Sequence, residues 1–213
     1  MKKVAVILSG CGHQDGADIR ESVLSLLYIE KNGASYECFA PSVSFSAINH
    51  INDAVEGSRN TLDESARIAR GEIKDFSYLK PEFFDALILP GGYGAAKNLS
   101  NLALKGAEAT VLPEYANIVQ GFNKAGKPIG AICISPAVLV AALGKGKVTI
   151  GNDPSTIKVI EALGGRHQEC ETDEICVDNT NRIVSTPAYM YDDSISRVSD
   201  GIEKLVAKVL ELA

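Results

Sequence analysis

The sequence has no apolar run long enough to cross a membrane. Its longest runs, residues 4–8 and 138–143, fall far short of the ~20 apolar residues that a membrane-spanning helix needs. A dense stripe of lysine and arginine is also missing, and the formal net charge is −6 with a pI of about 5.2. An acidic chain of this kind is a poor candidate for binding nucleic acid or an anionic membrane surface.

Paired cysteines are missing as well. The chain has five, an odd number, and none form a C-x-x-C pair: Cys11, Cys38, Cys133, Cys170 and Cys176. No group of His, Cys, Asp and Glu has the spacing of metal ligands. We therefore expect neither a disulfide scaffold nor a metal site. The N-terminus is typical of a first strand and not of a signal peptide, so a reducing cytoplasm is the expected compartment.

Hydrophobic residues make up 46% of the 213 residues and charged residues 23%, which is ordinary for one globular domain. No internal repeat or linker divides residues 1–213, and short apolar strands alternate with helical patterns. The predicted strands are residues 4–8, 36–40, 85–89 and 129–132, with a late hairpin of 174–178 and 182–185. The predicted helices lie between Asp18 and Gly33 and over residues 62–70, 116–123, 136–143, 158–163 and 195–212. This order predicts a three-layer α/β sandwich with a mostly parallel sheet; only residues 41–57 lack clear periodicity.

Cys133 stands where a predicted strand runs directly into a helix. In Gly130-Ala131-Ile132-Cys133-Ile134-Ser135-Pro136, small residues lie two before and two after the cysteine. This is the nucleophile-elbow pattern with cysteine in place of serine. The helix N-terminus is expected to lower the pKa of the thiol, and the thiolate is the nucleophile. The alternative is a small buried hydrophobic residue, which is the reading we prefer for the other four cysteines.

Two further loops, residues 9–16 and 90–98, follow predicted parallel strands at the edge of the sheet where ligands gather. The glycines of Pro90-Gly91-Gly92 let the backbone approach a ligand closely. Backbone N–H groups of Gly92 and Ile134 could therefore converge on an oxyanion. A glycine-rich turn without a ligand is the alternative, and the pattern of a nucleotide-binding P-loop is absent.

Few residues can exchange protons with the thiol. Glu21 lies near apolar residues of the first predicted helix, where a half-buried carboxyl would have a raised pKa and could take up the thiol proton. By spacing alone a solvated glutamate is the commoner case. Of the three histidines, His50 lies in a polar stretch. A cysteine–histidine pair would need His13 or His167, although a lone histidine is more often structural.

Along nearly its whole length the sequence resembles the bacterial ElbB proteins. The motifs are Val6-Ile7-Leu8-Ser9-Gly10-Cys11-Gly12, Arg67-Ile68-Ala69-Arg70-Gly71-Glu72-Ile73, Pro90-Gly91-Gly92, Gly94-Ala95-Ala96-Lys97-Asn98-Leu99-Ser100-Asn101 and Thr186-Pro187-Ala188-Tyr189-Met190. These proteins are also called sigma cross-reacting or isoprenoid-biosynthesis-associated proteins. They belong to the PfpI-type branch of the class I glutamine amidotransferase-like superfamily.

The resemblance implies a flavodoxin-like sandwich that is usually dimeric, with Cys133 as nucleophile and Glu21 as its acidic partner. It also implies that Gly92 and Ile134 are the oxyanion donors. ElbB-type proteins are associated with a cofactor-free glyoxalase activity, the conversion of glyoxal to glycolate. Related branches have been called proteases, chaperones and deglycases.

One segment departs from the superfamily. Glutaminase domains complete a catalytic triad with a His-x-Glu near the end of the sheet, but here that region reads Pro187-Ala188-Tyr189-Met190. No histidine follows His167, which lies close to the superfamily position without aligning cleanly with it. Glutaminase chemistry is therefore not expected.

We expect a glutathione-independent, glyoxalase-like lyase that needs no cofactor or metal and converts a small aldehyde or dicarbonyl to a hydroxy acid. Cys133 would attack the carbonyl, and Glu21, together with His167, would move the proton. The alternative is a non-catalytic redox or stress-response protein in which Cys133 is oxidised to a sulfinic acid. A third hypothesis, a regulatory partner-binding module, predicts an exposed apolar patch beside the pocket. The long helix over 195–212 and the resemblance together predict a homodimer.

Overall fold

The computed structural model describes all 213 residues as a three-layer α/β sandwich, which confirms the predicted fold class. The strands are β1 (Lys3–Ile7), β2 (Ser35–Ala40), β3 (Ser44–Ile48), β4 (Val55–Asn60), β5 (Ile73–Asp75), β6 (Ala86–Leu89), β7 (Ile129–Ile132), β8 (Lys147–Val148), β9 (Arg166–His167), β10 (Cys176–Asp178) and β11 (Ile183–Thr186). Seven of them form one sheet in the order β10-β11-β7-β6-β1-β2-β5. All its neighbours pair in parallel except β10 and β11, which form the predicted late hairpin.

Helices cover both faces of this sheet. They are α1 (Ile19–Lys31), α2 (Thr61–Ile68), α3 (Tyr93–Lys97), α4 (Leu102–Lys105), α5 (Pro113–Lys124), α6 (Ser135–Leu143), α7 (Pro154–Ala162) and α8 (Ile195–Leu212). Alternate residues of β1 point to opposite faces, as the pleat of a strand requires. Val4 and Val6 belong to the core under α1 and α8, whereas Ala5 and Ile7 belong to the core under α5 and α6.

The buried face of α1 is more polar than its sequence indicates. Ile19, Val23 and Leu27, whose spacing predicts the helix, are 49%, 48% and 41% exposed. Glu21 and Ser22 are fully buried instead. The helix is therefore rotated so that it carries a carboxyl group into the interior and leaves an apolar stripe on the surface.

An antiparallel hairpin of β3 and β4 lies apart from the main sheet, within the region where the sequence showed little periodicity. The side chains of β4 are almost all exposed, so no alternation of apolar and polar residues marks it. Its turn contacts the loop between β1 and α1. The side chain of Gln14 donates to Asp53 at 2.7 Å, and the N–H of Ile48 donates to Asp15 at 2.6 Å.

The C-terminal helix packs its apolar face inside the protomer. Val198, Leu205 and Val206 of α8 are fully buried against the sheet and α1. This helix therefore does not offer the apolar surface on which part of the homodimer prediction depends. None of the helices has both the length and the apolar character that crossing a membrane demands.

Candidate functional site

The loops that follow β1, β6 and β7 meet at the carboxyl edge of the sheet, as the sequence predicts. They line a cavity of about 1070 Å³ together with the start of α7 and the segment after β11. Cys133, Gly92 and Ile134 all line it. Central strands of a parallel sheet thus present their terminal loops to one concave surface, where ligands of such folds bind.

Cys133 occupies a strained turn between β7 and α6. Its φ is 60°, in the left-handed region that costs a non-glycine residue roughly 1–3 kcal/mol. Two hydrogen bonds hold the turn: the N–H of Cys133 donates to Thr186 O at 3.0 Å, and Ser135 Oγ donates to Pro90 O at 2.7 Å. The small residue Ala131 is fully buried behind it. The predicted strand-to-helix turn is present, and it directs the sulfur toward the cavity.

The backbone N–H groups of Gly92 and Ile134 lie close enough to the Cys133 sulfur to lower the pKa of its thiol, against the larger effect of burial. Gly92 has a φ of 91°, and a Cβ there would lie only 2.4 Å from Gly16 O. Glycine is thus required both for the backbone conformation and for the contact with the β1–α1 loop. Both predicted donors therefore border the thiol and are available to an oxyanion on a carbonyl that Cys133 attacks.

Glu21 is fully buried beside the thiol. Its Oε2 accepts the N–H of Gly91 at 2.8 Å, and its Oε1 accepts the N–H of Tyr189 at 3.4 Å. The neighbouring Cys133 thiol lowers the pKa of this carboxyl, against the larger effect of burial. Asp18 caps α1 by accepting the N–H of Glu21 at 3.0 Å, which fixes the helix start. The structure therefore brings together four of the five predicted site residues.

Burial controls the proton affinity of this pair. It raises the pKa of Glu21 to about 8, and the negative charge of Asp18 adds to the effect. Burial also raises the pKa of the Cys133 thiol, as does the charge of Glu21, while the N–H groups of Gly92 and Ile134 oppose this. The expectation of a lowered thiol pKa is wrong in direction, because desolvation outweighs the helix N-terminus. At neutral pH Glu21 is protonated, and the pair resists carrying two negative charges.

His167 does not belong to this site. It lies on β9, which pairs only with β8, and its Nε2 accepts the N–H of Ile150 at 3.4 Å. It is not among the residues that line the cavity, and burial lowers its pKa. The structure therefore does not place His167 at the cavity that Cys133 lines, because the short β8–β9 sheet holds the ring elsewhere.

The cavity contains the other two histidines instead. His13 comes from the β1–α1 loop and His50 from the turn of the β3–β4 hairpin. Their rings meet edge to face with centroids 4.9 Å apart. The sequence offered His13 as an alternative but gave no signal for His50, because nothing in residues 41–57 indicates a hairpin that reaches the site.

Arg20 and Tyr189 form a second feature of the cavity wall that the sequence did not indicate. Arg20 Nη1 donates to the Tyr189 hydroxyl at 3.1 Å, and its guanidinium lies 5.6 Å from the ring centroid. The N–H of the same tyrosine holds Glu21. The segment that departs from the glutaminase pattern thus positions the carboxyl group of this site.

The long glycine- and alanine-rich string after β6 ties the loops together. The N–H of Gly94 donates to Gly16 O at 2.9 Å. The side-chain amide of Asn98 donates to Ser9 O at 2.8 Å and to Asp15 O at 2.7 Å. These bonds satisfy carbonyl groups of the β1–α1 loop, so the string has a structural role at the site.

All five cysteines are free thiols. Cys38, Cys170 and Cys176 are buried and do not line the cavity, whereas Cys11 is partly exposed. Burial raises the pKa of Cys11, and the nearby Glu64 raises it further. No three His, Cys, Asp or Glu side chains are placed to share a metal ion.

A cysteine at a strand-to-helix turn of a parallel α/β sandwich is typical of class I glutamine amidotransferase-like proteins, the class to which this chain belongs. More narrowly, the chain belongs to the DJ-1/PfpI family, whose model matches residues 25–191. It is 42% identical over 222 residues to the human glutamine amidotransferase-like class 1 domain-containing protein 3, mitochondrial, covering 99% of this chain and 83% of that protein.

Solved structures agree with this assignment. An isoprenoid biosynthesis protein with an amidotransferase-like domain from Ehrlichia chaffeensis superposes with a TM-score of 0.94 at 44% identity, covering 100% of this chain and 99% of that one. A DJ-1 superfamily protein from Salmonella typhimurium has a TM-score of 0.58 at 23% identity, covering 99% and 91%, and shows likeness of fold alone. Because the human relative is named as mitochondrial, the cytoplasmic location stays a prediction.

Proposed function

We propose that the chain is a cofactor-independent, ElbB-type glyoxalase that converts glyoxal or a related dicarbonyl to a hydroxy acid. One observation carries the proposal: a buried carboxyl–thiol pair, Glu21 and Cys133, lies beside two converging N–H donors and opens on a cavity. The DJ-1/PfpI superfamily includes both glyoxalases and stress-response proteins. The site chemistry favours the first of these classes.

The reactive form is the pair after loss of one proton. The thiolate of Cys133 attacks one aldehyde carbon, and Glu21 protonates the resulting alkoxide to give a hemithioacetal. Gly92 and Ile134 donate to the oxygen while it carries charge. The Glu21 carboxylate then removes the hydrogen on the attacked carbon as a proton, and an acid protonates the second carbonyl oxygen, which gives an enediol.

The enediol then rearranges to a thioester, with the proton transfers running in the opposite direction. Glu21 returns its proton to the second carbon, the hydroxyl on the first carbon loses its proton, and a thioester of the hydroxy acid results. Water then adds to the thioester and releases glycolate, one proton and the free thiol. One glyoxal and one water are consumed for each glycolate, so no external oxidant or reductant is needed.

The test is glutathione-free turnover of glyoxal, with glycolate measured by NMR. We expect Cys133→Ala to lose turnover and Cys11→Ala, a matched thiol outside the cavity lining, to keep it. Absence of glycolate from the wild-type protein, or equal turnover by Cys133→Ala, would remove the proposal.

The redox alternative has its own support. A protonated Glu21 and the N–H groups of Gly92 and Ile134 could hydrogen-bond the oxygens of a sulfinic acid formed on Cys133 by two equivalents of peroxide. Mass spectrometry showing stoichiometric addition of two oxygens at Cys133, in a protein that does not turn over glyoxal, is the outcome that favours this second function.

We also propose that the protein is a homodimer that covers the exposed stripe of α1. Ile19, Val23 and Leu27 lie on one helix face at i, i+4 and i+8, and Ile19 also lines the cavity. An apolar patch beside the pocket is also what a partner-binding module predicts. A second copy of the chain is the simplest occupant, because self-association buries the same stripe on both copies.

A further inference from the structure

We propose that His13 is a further catalytic residue of this site, the acid that exchanges a proton with the second carbonyl oxygen of the substrate. This inference rests on the glyoxalase function proposed above. That reaction requires an acid on the cavity side of the hemithioacetal, because Glu21 is occupied with the carbon-bound hydrogen. With His167 held elsewhere, the histidines available to the cavity are His13 and His50.

The backbone places His13 next to the oxyanion donors. Its carbonyl oxygen accepts the N–H of Tyr93 at 2.7 Å, and Tyr93 directly follows Gly92. The ring of His13 lines the cavity and is exposed to it, and neither ring nitrogen has a hydrogen-bond partner in the protein. A ring with both nitrogens free, in a loop tied to the oxyanion donors, is available to contact substrate.

His50 has the opposite character. Its Nδ1 lies 2.9 Å from Ile48 O, and its Nε2 accepts the N–H of Gln14 at 3.3 Å, so both nitrogens are engaged with backbone groups. A Cβ on Gly12 would lie 2.6 Å from this Nε2, which shows how closely the ring packs on the loop. The backbone contacts therefore hold the His50 ring in place, and its contact with the His13 ring orients that ring.

A buried carboxyl group, that of Asp15, lies beside the His50 ring. Asp15 is 5% exposed; its Oδ2 accepts the N–H of Ile48, but its Oδ1 has no hydrogen-bond partner. This Oδ1 lies 4.0 Å from His50 Nε2. The acidic group thus contacts His50, whose ring in turn packs against that of His13.

The proton balance closes within one turnover. The His13 imidazolium gives its proton to the second carbonyl oxygen as Glu21 removes the carbon-bound hydrogen, and neutral His13 results. When the enediol collapses, neutral His13 takes the proton from the hydroxyl on the first carbon. The second oxygen keeps the proton it received and leaves as the hydroxyl of the hydroxy acid.

The test compares glyoxal turnover by the wild-type protein, His13→Ala, His13→Gln and His167→Gln. Loss of a general acid typically costs 10²–10⁴-fold, so we expect kcat to fall by about 100-fold or more in both His13 variants with little change in KM. His167→Gln is the matched control and should retain wild-type turnover. Added imidazole should restore part of the activity of His13→Ala, because the cavity is open, but none of the activity of Cys133→Ala.

The outcomes separate this inference from the function on which it rests. If the wild-type protein turns over glyoxal and both His13 variants do so equally well, only the role of His13 is overturned. A fall in kcat that imidazole does not relieve also counts against it, since that pattern indicates structural damage. If the wild-type protein makes no glycolate, both proposals are wrong.

Discussion

The Glu21 carboxyl and the Cys133 side chain meet across Gly91, a residue with no side chain of its own to keep them apart. An added Cβ on Gly91 would lie 2.5 Å from Cys133 Cβ and 2.8 Å from Glu21 Oε2. The same residue donates its N–H to Glu21 at 2.8 Å. One glycine therefore both permits the contact between the acid and the thiol and orients the acid.

We expect Gly91→Ala to abolish glyoxal turnover and to destabilise the fold, because the new methyl group has no space between two buried side chains. The expected loss is on the order of 1–3 kcal/mol in urea unfolding. Gly126→Ala is the control: its φ of 67° imposes backbone strain, but nothing lies within 4 Å of the added Cβ. That variant should lose stability yet keep turnover. An active Gly91→Ala protein would contradict the described geometry.

The raised pKa of Glu21 predicts a pH-dependent stability. The native carboxyl keeps its proton up to about pH 8, whereas the unfolded one releases it near its ordinary value of 4.5. The stability contributed by this proton is therefore complete below the unfolded pKa and declines as pH rises toward 8. The decline is at most about 1.4 kcal/mol per pH unit.

Glu21→Gln resembles the protonated carboxyl in shape but cannot release a proton. The stability of the variant should therefore lack the pH dependence that ionisation of the Glu21 carboxyl causes. We expect the stability of Glu21→Gln relative to wild type to increase from about pH 5 to about pH 8, as measured by urea unfolding at several pH values. Glyoxal turnover by the variant should be lost. A stability difference that is constant across this range would mean that the native carboxyl ionises normally.

Cys133 should react with limiting iodoacetamide before the other four cysteines. Burial raises the pKa values of both Cys133 and Cys11, and a carboxyl group opposes ionisation of each, Glu21 for Cys133 and Glu64 for Cys11. The expected order depends on position instead, because Cys133 lines the cavity and Cys11 does not. Because the thiol pKa is raised, the labelling rate should increase from neutral to alkaline pH. Peptide mapping by mass spectrometry gives the order of modification. Labelling of Cys11 with Cys133 intact would contradict the proposed reactivity.

The stripe on α1 predicts the oligomeric state. We expect light scattering at micromolar concentration to give twice the chain mass of 22.6 kDa, and Val23→Asp to give the monomer, because a charge in an apolar interface is costly. Leu104→Asp is a suitable control, since Leu104 is 86% exposed on α4, apart from the stripe. A wild-type protein of 22.6 kDa would show that the stripe has another role.

The central strands and the turn at Cys133 could be predicted because their signals are local. β7 is a short apolar run, and the small residues around Cys133 mark the turn that follows it. The rotation of α1 could not be predicted in this way. Its buried Ser22 and Ser25 donate to backbone carbonyls one turn earlier, so polar residues occupy the face that hydrophobic spacing assigns to solvent.

The positions of His167 and His50 could not be predicted from the sequence for a different reason. His167 follows a glycine-rich stop and precedes the late hairpin, so its position in sequence resembles a loop near the site. Residues Lys147–Val148 and Arg166–His167 form a two-stranded sheet with two residues in each strand, too short to leave a periodic pattern. His50 reaches the cavity only because a polar hairpin folds back on the first loop. Both placements depend on tertiary contacts that neither propensity nor spacing contains.

The order of strands has a consequence for a growing polypeptide. β7 ends at Cys133 in the middle of the sheet, yet its neighbour β11 is synthesised only after α6, α7 and β8 to β10. The bond from Cys133 N–H to Thr186 O and the bond from Tyr189 N–H to Glu21 both need that late segment. A nascent chain thus carries the cysteine for some time before the segment that completes the hydrogen bonds of Cys133 and Glu21 has been made.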